Sequence, residues 1–311
     1  MADKIKTVAV LGVGAVGSYM FWGLSAKPDV RVFVIAEGER ATRLKTQGLV
    51  INDEQYFPAV KSASEAIGID LLIVSVKYTA LRECLDDIKT IVGPDTIVLS
   101  LINGVDSEDI IAETIGYERI VHSLIFIASE RRGNCIRFDA EATIGVVYGE
   151  KDLSRGTYKT DKLSELFEDS RLHTRCSDDI ISEIWGKFRL NVPSNQIQAV
   201  IGCGLGAYVD SEHAAFLRQK MIDEVDAVAA KLGISIKAID ELALIGTKVK
   251  KRARYSTLQD LDNGRHTEVD MFAGAMVRMG RELGVPTPYN EYTYHLIKAI
   301  EEKNDGKFNY E

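Results

Sequence analysis

Lys187, Asn191 and Asn195 are spaced at i, i+4 and i+8. At about 100° per residue, a helix carries all three on one narrow stripe. One ammonium and two amides have no reason to share a face with an apolar core, whereas a cleft between domains that receives a carbonyl compound would use them. Hydride addition to a carbonyl leaves a developing alkoxide, so a positioned cation that also carries a proton stabilises the charge and then quenches it. Lys187 has that character. Taken alone, the spacing also describes an exposed polar helix face.

A second polar cluster runs Ser256-Thr257-Leu258-Gln259-Asp260 and then Asn263-Gly264-Arg265-His266-Thr267-Glu268-Val269-Asp270. It reads as a loop feeding a helix, with Thr267 or His266 near the helix start and Glu268 in the first turn, where a carboxylate is favoured. Helix capping alone accounts for the same pattern. If Glu268 lies near Lys187, it favours the protonated ammonium. The five histidines show no ligand spacing such as H-E-x-x-H, so no metal is expected.

These groups act on a carbonyl only if a hydride donor is held as well, and the N-terminus offers a place for one. The apolar run Val8 to Leu11 ends in Gly12-Val13-Gly14-Ala15-Val16-Gly17, a glycine triplet between a strand and an amphipathic helix. Gly12 permits the tight turn, Gly14 the close approach of a pyrophosphate, and Gly17 the packing of helix on strand. A structural glycine turn is the alternative. Glu37 follows the second strand about twenty residues beyond Gly17, where an acid accepts from ribose hydroxyls, which points to NAD(H). Arg40 and Arg43 lie just beyond and suit the 2′-phosphate of NADP(H). A solvated charged face explains the same residues.

The elements that position these residues follow from periodicity. Thr7 to Leu11, Val30 to Ile35, Leu71 to Val76 and Thr96 to Leu101 read as strands separated by helical patterns, the βαβ signature of a parallel sheet. Ile120 to Ala128, Thr143 to Val147 and a helix at about 159–168 complete that part. From Asp178 onward apolar residues recur at three- and four-residue spacing, as in Ile180, Ile181, Ile184, Trp185 and Phe188. The expectation is a Rossmann-type α/β dinucleotide-binding domain with a parallel sheet over 1–177, followed by an all-α substrate and catalytic domain over 178–311.

With 311 residues the chain is long enough for two cores. A net charge of −8 argues against nucleic-acid or anionic-membrane partners, which would want a basic face. The four cysteines are widely separated, which fits a reducing cytoplasm, and no targeting or membrane segment is read. A homodimer is left open.

The glycine triplet, Lys77 after the strand at 71–76, Asn103-Gly104 after the strand at 96–101, the Lys187/Asn191/Asn195 stripe, the Ser256 to Asp270 run and the closing Gly284-Val285-Pro286-Thr287-Pro288 follow one another in an order that resembles the ketopantoate reductase (2-dehydropantoate 2-reductase) family over essentially the whole chain. The resemblance implies reduction of ketopantoate to pantoate, in pantothenate and coenzyme A biosynthesis, usually with NADPH. It further implies Lys187 as the general acid and Glu268 as its active-site partner. Asn191 and Asn195 would hold the substrate's hydroxyl end, Ser256 its carboxylate, and Lys77 and Asn103 would lie near cofactor and substrate.

Three features depart from the family pattern. Glu37 stands where an arginine is frequent, which weakens NADPH preference. Gln196-Ile197-Gln198-Ala199-Val200 replaces Asn-Pro followed by Leu-Thr-Ala-Leu. Pro193 removes the hydrogen bond to the Arg189 carbonyl and is expected to kink the helix, turning Asn195 away. A reductase of another 2-oxo acid is therefore the near alternative. A 3-hydroxy acid or sugar-phosphate dehydrogenase fits the two-domain pattern but not the Ser256 to Asp270 run, and a catalytically silent dinucleotide sensor would not need Lys187 and Glu268.

Overall fold

The structure, a computed structural model, describes residues 4–141, 143–153, 156–237, 251–308 and 310. The chain divides into two compact units, Met1–Ile180 and Ile181–Glu311.

In the first unit the elements run β1 (Thr7–Leu11), α1 (Ala15–Leu24), β2 (Arg31–Ile35), α2 (Gly38–Gln47), β3 (Leu49–Ile51), β4 (Glu54–Tyr56), β5 (Ala59–Lys61), β6 (Leu71–Val74), α3 (Tyr78–Leu81) and α4 (Leu85–Ile91). They continue as β7 (Ile97–Ser100), α5 (Ser107–Ile115), β8 (Ile120–Phe126), β9 (Ser129–Arg132), β10 (Cys135–Phe138), β11 (Gly145–Gly149), α6 (Tyr158–Phe167) and β12 (Thr174–Cys176). Eight strands form one sheet in the order β12-β11-β8-β7-β6-β1-β2-β5. Its centre is parallel, with Val10 paired to Val34 on one side and Ile73 on the other. Val8, Val10, Leu71, Ile73, Val98 and Leu99 are fully buried, because a parallel sheet covered on both faces needs apolar side chains on both.

The strand pattern predicts a parallel sheet, and the sheet is mostly but not wholly so: β11 runs antiparallel to β8. No helix lies between β8 and β11, and without a crossover the chain returns in the opposite direction. A second sheet, β4-β3-β10-β9, has no counterpart in the sequence reading. Its β3–β4 hairpin turns on Asn52 and Asp53 at φ 48° and 69°, the left-handed pair that a two-residue turn of this hand requires. Strands of three residues that carry Glu54 and Gln55 show too little alternation to be read. Helix α1 is tied to this sheet by aromatic contacts of Tyr19 and Trp22 with Phe138. Tyr19, Met20 and Leu24 are fully buried on that helix, each worth about 1.5–3 kcal/mol.

In the second unit the described elements are helical: α7 (Ile180–Ile201, which begins one residue before the division), α8 (Ala207–Asp210), α9 (Glu212–Lys231), α10 (Ser256–Asp262), a π turn (Asp270–Gly274) leading into α11 (Ala275–Leu283), and α12 (Pro288–Asn304). The expected all-helical span includes residues 238–250, which lie outside those described. Helix α7 is covered on nearly every side, with Phe188, Val192, Ser194, Gln196 and Gln198 all at 1% exposure or less. Its polar side chains must therefore find partners within the fold. Gln196 Nε2 donates to the Val192 carbonyl at 2.8 Å. Gln198 donates to the Ala253 carbonyl at 3.0 Å and accepts from the Tyr255 N–H at 2.5 Å, which fixes the approach to α10.

Candidate active site

Four parallel strands that neighbour one another, β2, β1, β6 and β7, deliver the candidate residues of the first unit from their C-terminal ends, so the four following turns share one edge of the sheet. The direction of chain progression reverses between β1 and β6, the place where open α/β sheets take a dinucleotide. There the Ser75 N–H donates to the Leu11 carbonyl at 2.9 Å and Ser75 Oγ to the Gly12 carbonyl at 2.7 Å. Gly12 has φ 96°, and a Cβ on it would lie 2.7 Å from the Val76 nitrogen. A Cβ on Gly17 would overlap the Gly12 carbonyl oxygen. Gly14 has open space at its Cβ position and serves as the N-cap of α1 without a side-chain cap. The first turn of α1 holds no acid, and Gly14, Ala15 and Val16 are partly exposed while Val13 is buried. These features fit a pyrophosphate: a helix N-terminus offers its unpaired backbone N–H groups to an anion, and no acidic side chain stands in its first turn.

Glu37 is exposed at the N-cap of α2, directly after β2, with Arg40 and Arg43 exposed on the same helix. Lys77 is exposed at the N-cap of α3, and Asn103 is half-buried in the turn after β7. The Tyr78 hydroxyl donates to Asp106 Oδ2 at 2.7 Å, which joins the turn carrying Lys77 to the turn carrying Asn103. Ser75, Tyr78 and Asp106 went unread in the sequence. Each is an ordinary polar residue in the stretch that leads from a strand into the next helix, and nothing in its type marks it before its partner is known.

The second unit holds the other candidates. Lys187 is 9% exposed on α7, and burial pushes its ammonium down to about 7. The expected effect of Glu268 was the reverse, a favoured ammonium. Burial sets the value instead, since removing a cation from water costs more than removing the neutral amine. Asn191 is half-buried one turn further on.

Helix α7 continues through Pro193, and Asn195 spends its side chain within the fold: its Nδ2 donates to the Asn191 carbonyl at 3.1 Å. Its Oδ1 accepts from Ser256 Oγ and Thr257 Oγ1, both at 3.1 Å, and from the Thr257 N–H at 3.4 Å. Asn195 is 3% exposed, so this amide clamps the start of α10. Ser256 has one hydroxyl proton, and it points at Asn195 rather than outward.

Glu268 is half-buried in a segment anchored on both sides. Thr267 donates through N and Oγ1 to Glu301 Oε1 at 2.7 and 2.6 Å, and its Oγ1 accepts from the Val269 N–H at 3.2 Å. The helical turn begins at Asp270 with Val269 as its N-cap, so Glu268 precedes the first turn in which the sequence pattern places it. Val269 packs with Leu258 of α10 and Ala199 of α7 in one apolar cluster. The runs at 256–270 therefore both rest on the C-terminal half of α7, and Lys187 lies about 12 Å toward its N-terminal end from Asn195.

The family models for "Ketopantoate reductase PanE/ApbA" and its C-terminal part match residues 8–149 and 179–301. The chain belongs to the ketopantoate reductase family. It is thereby an oxidoreductase that acts on a CH–OH group. Among its relatives, a 2-dehydropantoate 2-reductase of Mesorhizobium japonicum is 26% identical, over 94% of this chain and 97% of its own. Another from Aquifex aeolicus is 26% identical, over 94% of this chain and 96% of its own. Two solved structures of similar fold are a family ketopantoate reductase from Ralstonia eutropha (28% identical, TM-score 0.81) and D-mandelate dehydrogenase with NADH and anilino(oxo)acetate (25% identical, TM-score 0.84). Each covers 96% of this chain and 99% of its own. Family membership accounts for both halves: a mostly parallel sheet with helices, and a helical C-terminal part. No helix among the described residues is long and apolar enough to cross a membrane.

Proposed function

We propose that the chain reduces 2-dehydropantoate to pantoate, with a nicotinamide dinucleotide as hydride donor. The observation that carries this reading is Lys187, a buried lysine of a family oxidoreductase whose ammonium is brought down to about 7. A general acid works best when its pKa lies near the working pH, because it is then both substantially protonated and willing to give the proton up.

The first unit is the dinucleotide-binding domain and the second the substrate domain. Gly12, Val13, Gly14, Ala15, Val16 and Gly17 hold the pyrophosphate on backbone N–H groups, and Glu37 accepts from the adenosine ribose hydroxyls. Lys77 and Asn103 flank cofactor and substrate on the same sheet edge. When bound, the reduced dinucleotide supplies the hydride. Lys187 Nζ protonates the carbonyl oxygen as negative charge develops there, and Asn191 orients the substrate by hydrogen bonding. Glu268 is the acidic partner in the active site. Asn195 and Ser256 act on the substrate through the shape of the pocket wall that their mutual bond fixes. No step calls for a metal.

Glu37 favours NAD(H), whereas the family resemblance favours NADP(H). The free cysteines suit a reducing cytoplasm. A second reading, reduction of a different 2-oxo acid, is favoured by the likeness to D-mandelate dehydrogenase and by the replaced segment Gln196 to Val200.

Steady-state consumption of NADH and of NADPH, followed by loss of nicotinamide absorbance with ketopantoate and a panel of 2-oxo acids, tests this. The highest kcat/KM is expected with ketopantoate. A higher value with another 2-oxo acid selects the second reading, and no turnover with any of them rejects the enzymatic proposal.

A further inference from the structure

The turn that carries Asn103 is closed by a ring of hydrogen bonds behind it. Ser100 ends β7 and Ser107 begins α5, and their hydroxyls lie 2.9 Å apart across the turn. Ser107 Oγ contacts Glu108 Oε2 at 2.6 Å, and the Ser123 N–H donates to Glu108 Oε1 at 3.3 Å. Ser123 Oγ then donates to the Ser100 carbonyl, which completes the ring. Ser100, Ser107, Glu108 and Ser123 are all at most 5% exposed. On the outer side, Asp106 is held by Tyr78.

A carboxyl buried among three serines is an expensive way to fill space, since an apolar side chain of similar size would do so without a desolvation cost. What Glu108 adds is direction. Its side chain spans from the first turn of α5 to β8, and both of its oxygens are engaged. Burial pushes its carboxyl up to about 7, against the pull of the Ser107 and Ser123 donors. The ring survives in either protonation state. Ionised, Glu108 accepts from Ser107, which accepts from Ser100; protonated, it donates to Ser107, which donates to Ser100.

We propose that Glu108 is a positioning residue that holds the 101–106 turn, and with it the Asn103 amide, in the geometry the reaction uses. This rests on the reading of Asn103 as a substrate and dinucleotide residue. Glu108 itself touches neither ligand.

The test compares Asn103→Ala, Glu108→Ala, Glu108→Gln and the Asn103→Ala/Glu108→Ala double variant. Three quantities are read on the full chain: kcat and KM for the preferred oxo acid, the dinucleotide Kd by titration without oxo acid, and Tm. Glu108→Ala is expected to reproduce most of the Asn103→Ala loss in kcat/KM or Kd, about 10-fold to 10²-fold. Glu108→Gln, whose amide donates to Ser107 and accepts from Ser123, is expected to stay close to wild type. The double variant is expected to be no worse kinetically than Asn103→Ala, because one effect runs through the other. If Glu108→Ala lowers Tm but leaves kcat/KM and Kd at wild-type values, or if the two losses multiply, the ring is only structural and the proposal fails. Should Asn103→Ala change neither kinetics nor binding, the assignment of Asn103 falls, and the proposal falls with it.

Discussion

Ser256 Oγ donates to Asn195 Oδ1 at 3.1 Å, and the neighbouring Thr257 reaches the same oxygen through both its hydroxyl and its N–H. One buried amide on α7 thus terminates three donors at the start of α10. Asn195→Ala leaves the buried Thr257 donors without an acceptor, at a cost of about 1–3 kcal/mol. Calorimetry should record a clear fall in Tm. Ser256→Ala should cost less, because Ser256 is exposed and Thr257 still engages Asn195. A wild-type Tm for Asn195→Ala together with a raised KM would return Asn195 to direct substrate contact.

The buried ammonium of Lys187 gives a pH signature. The reduction needs the protonated form, so kcat/KM is expected to be flat in the acid range and to fall about tenfold per pH unit above its pKa, about 7. A profile level up to pH 9 would remove Lys187 as the acid that titrates in the free enzyme.

Burial of Lys187 also makes stability depend on pH. Its pKa is about 7 in the folded protein against 10.5 in the unfolded chain, so the unfolded state binds more protons between these values and stability rises with pH across that window. Below about 7 the cost of the buried charge is present in full. Lys187→Met is therefore expected to be more stable than wild type near pH 6, by roughly 1–3 kcal/mol, with the gap closing toward pH 10. The same variant should lose about 10² to 10⁴ in kcat while its dinucleotide Kd is unchanged. Chemical denaturation at several pH values and a binding titration decide both points; weakened dinucleotide binding would make Lys187 a cofactor residue.

Glu37 stands exposed where the second strand ends, and in the proposed reading its carboxylate meets the adenosine ribose. Glu37→Arg is expected to move the NADPH to NADH ratio of kcat/KM upward by about an order of magnitude, through attraction of a 2′-phosphate in place of repulsion. An unchanged ratio would take Glu37 out of cofactor selection and leave Arg40 and Arg43 to be tried next.

Much of this molecule is legible before folding. The Val8 to Gly17 segment reads as strand, glycine turn and helix because two of its glycines answer a local demand: φ 96° at Gly12, and contact of Gly17 with a carbonyl five residues earlier. The strands at 7–11, 71–74 and 97–100 announce themselves as apolar runs, since burial on both faces leaves only one kind of side chain acceptable. The Lys187 stripe is equally local, being a matter of helical period.

What the tertiary structure alone decided has a common cause. Asn195 meets Ser256 and Thr257 across sequence separations of 61 and 62, and Ser75 meets Gly12 across 63, so no spacing rule predicts that these side chains spend their hydrogen bonds on one another. The direction of β11 depends on the short hairpin that precedes it, and the pKa of Lys187 on how completely its neighbours exclude water. Residue type and period state what a side chain is able to do; the distance and burial that select one of those abilities exist only after remote segments have packed together.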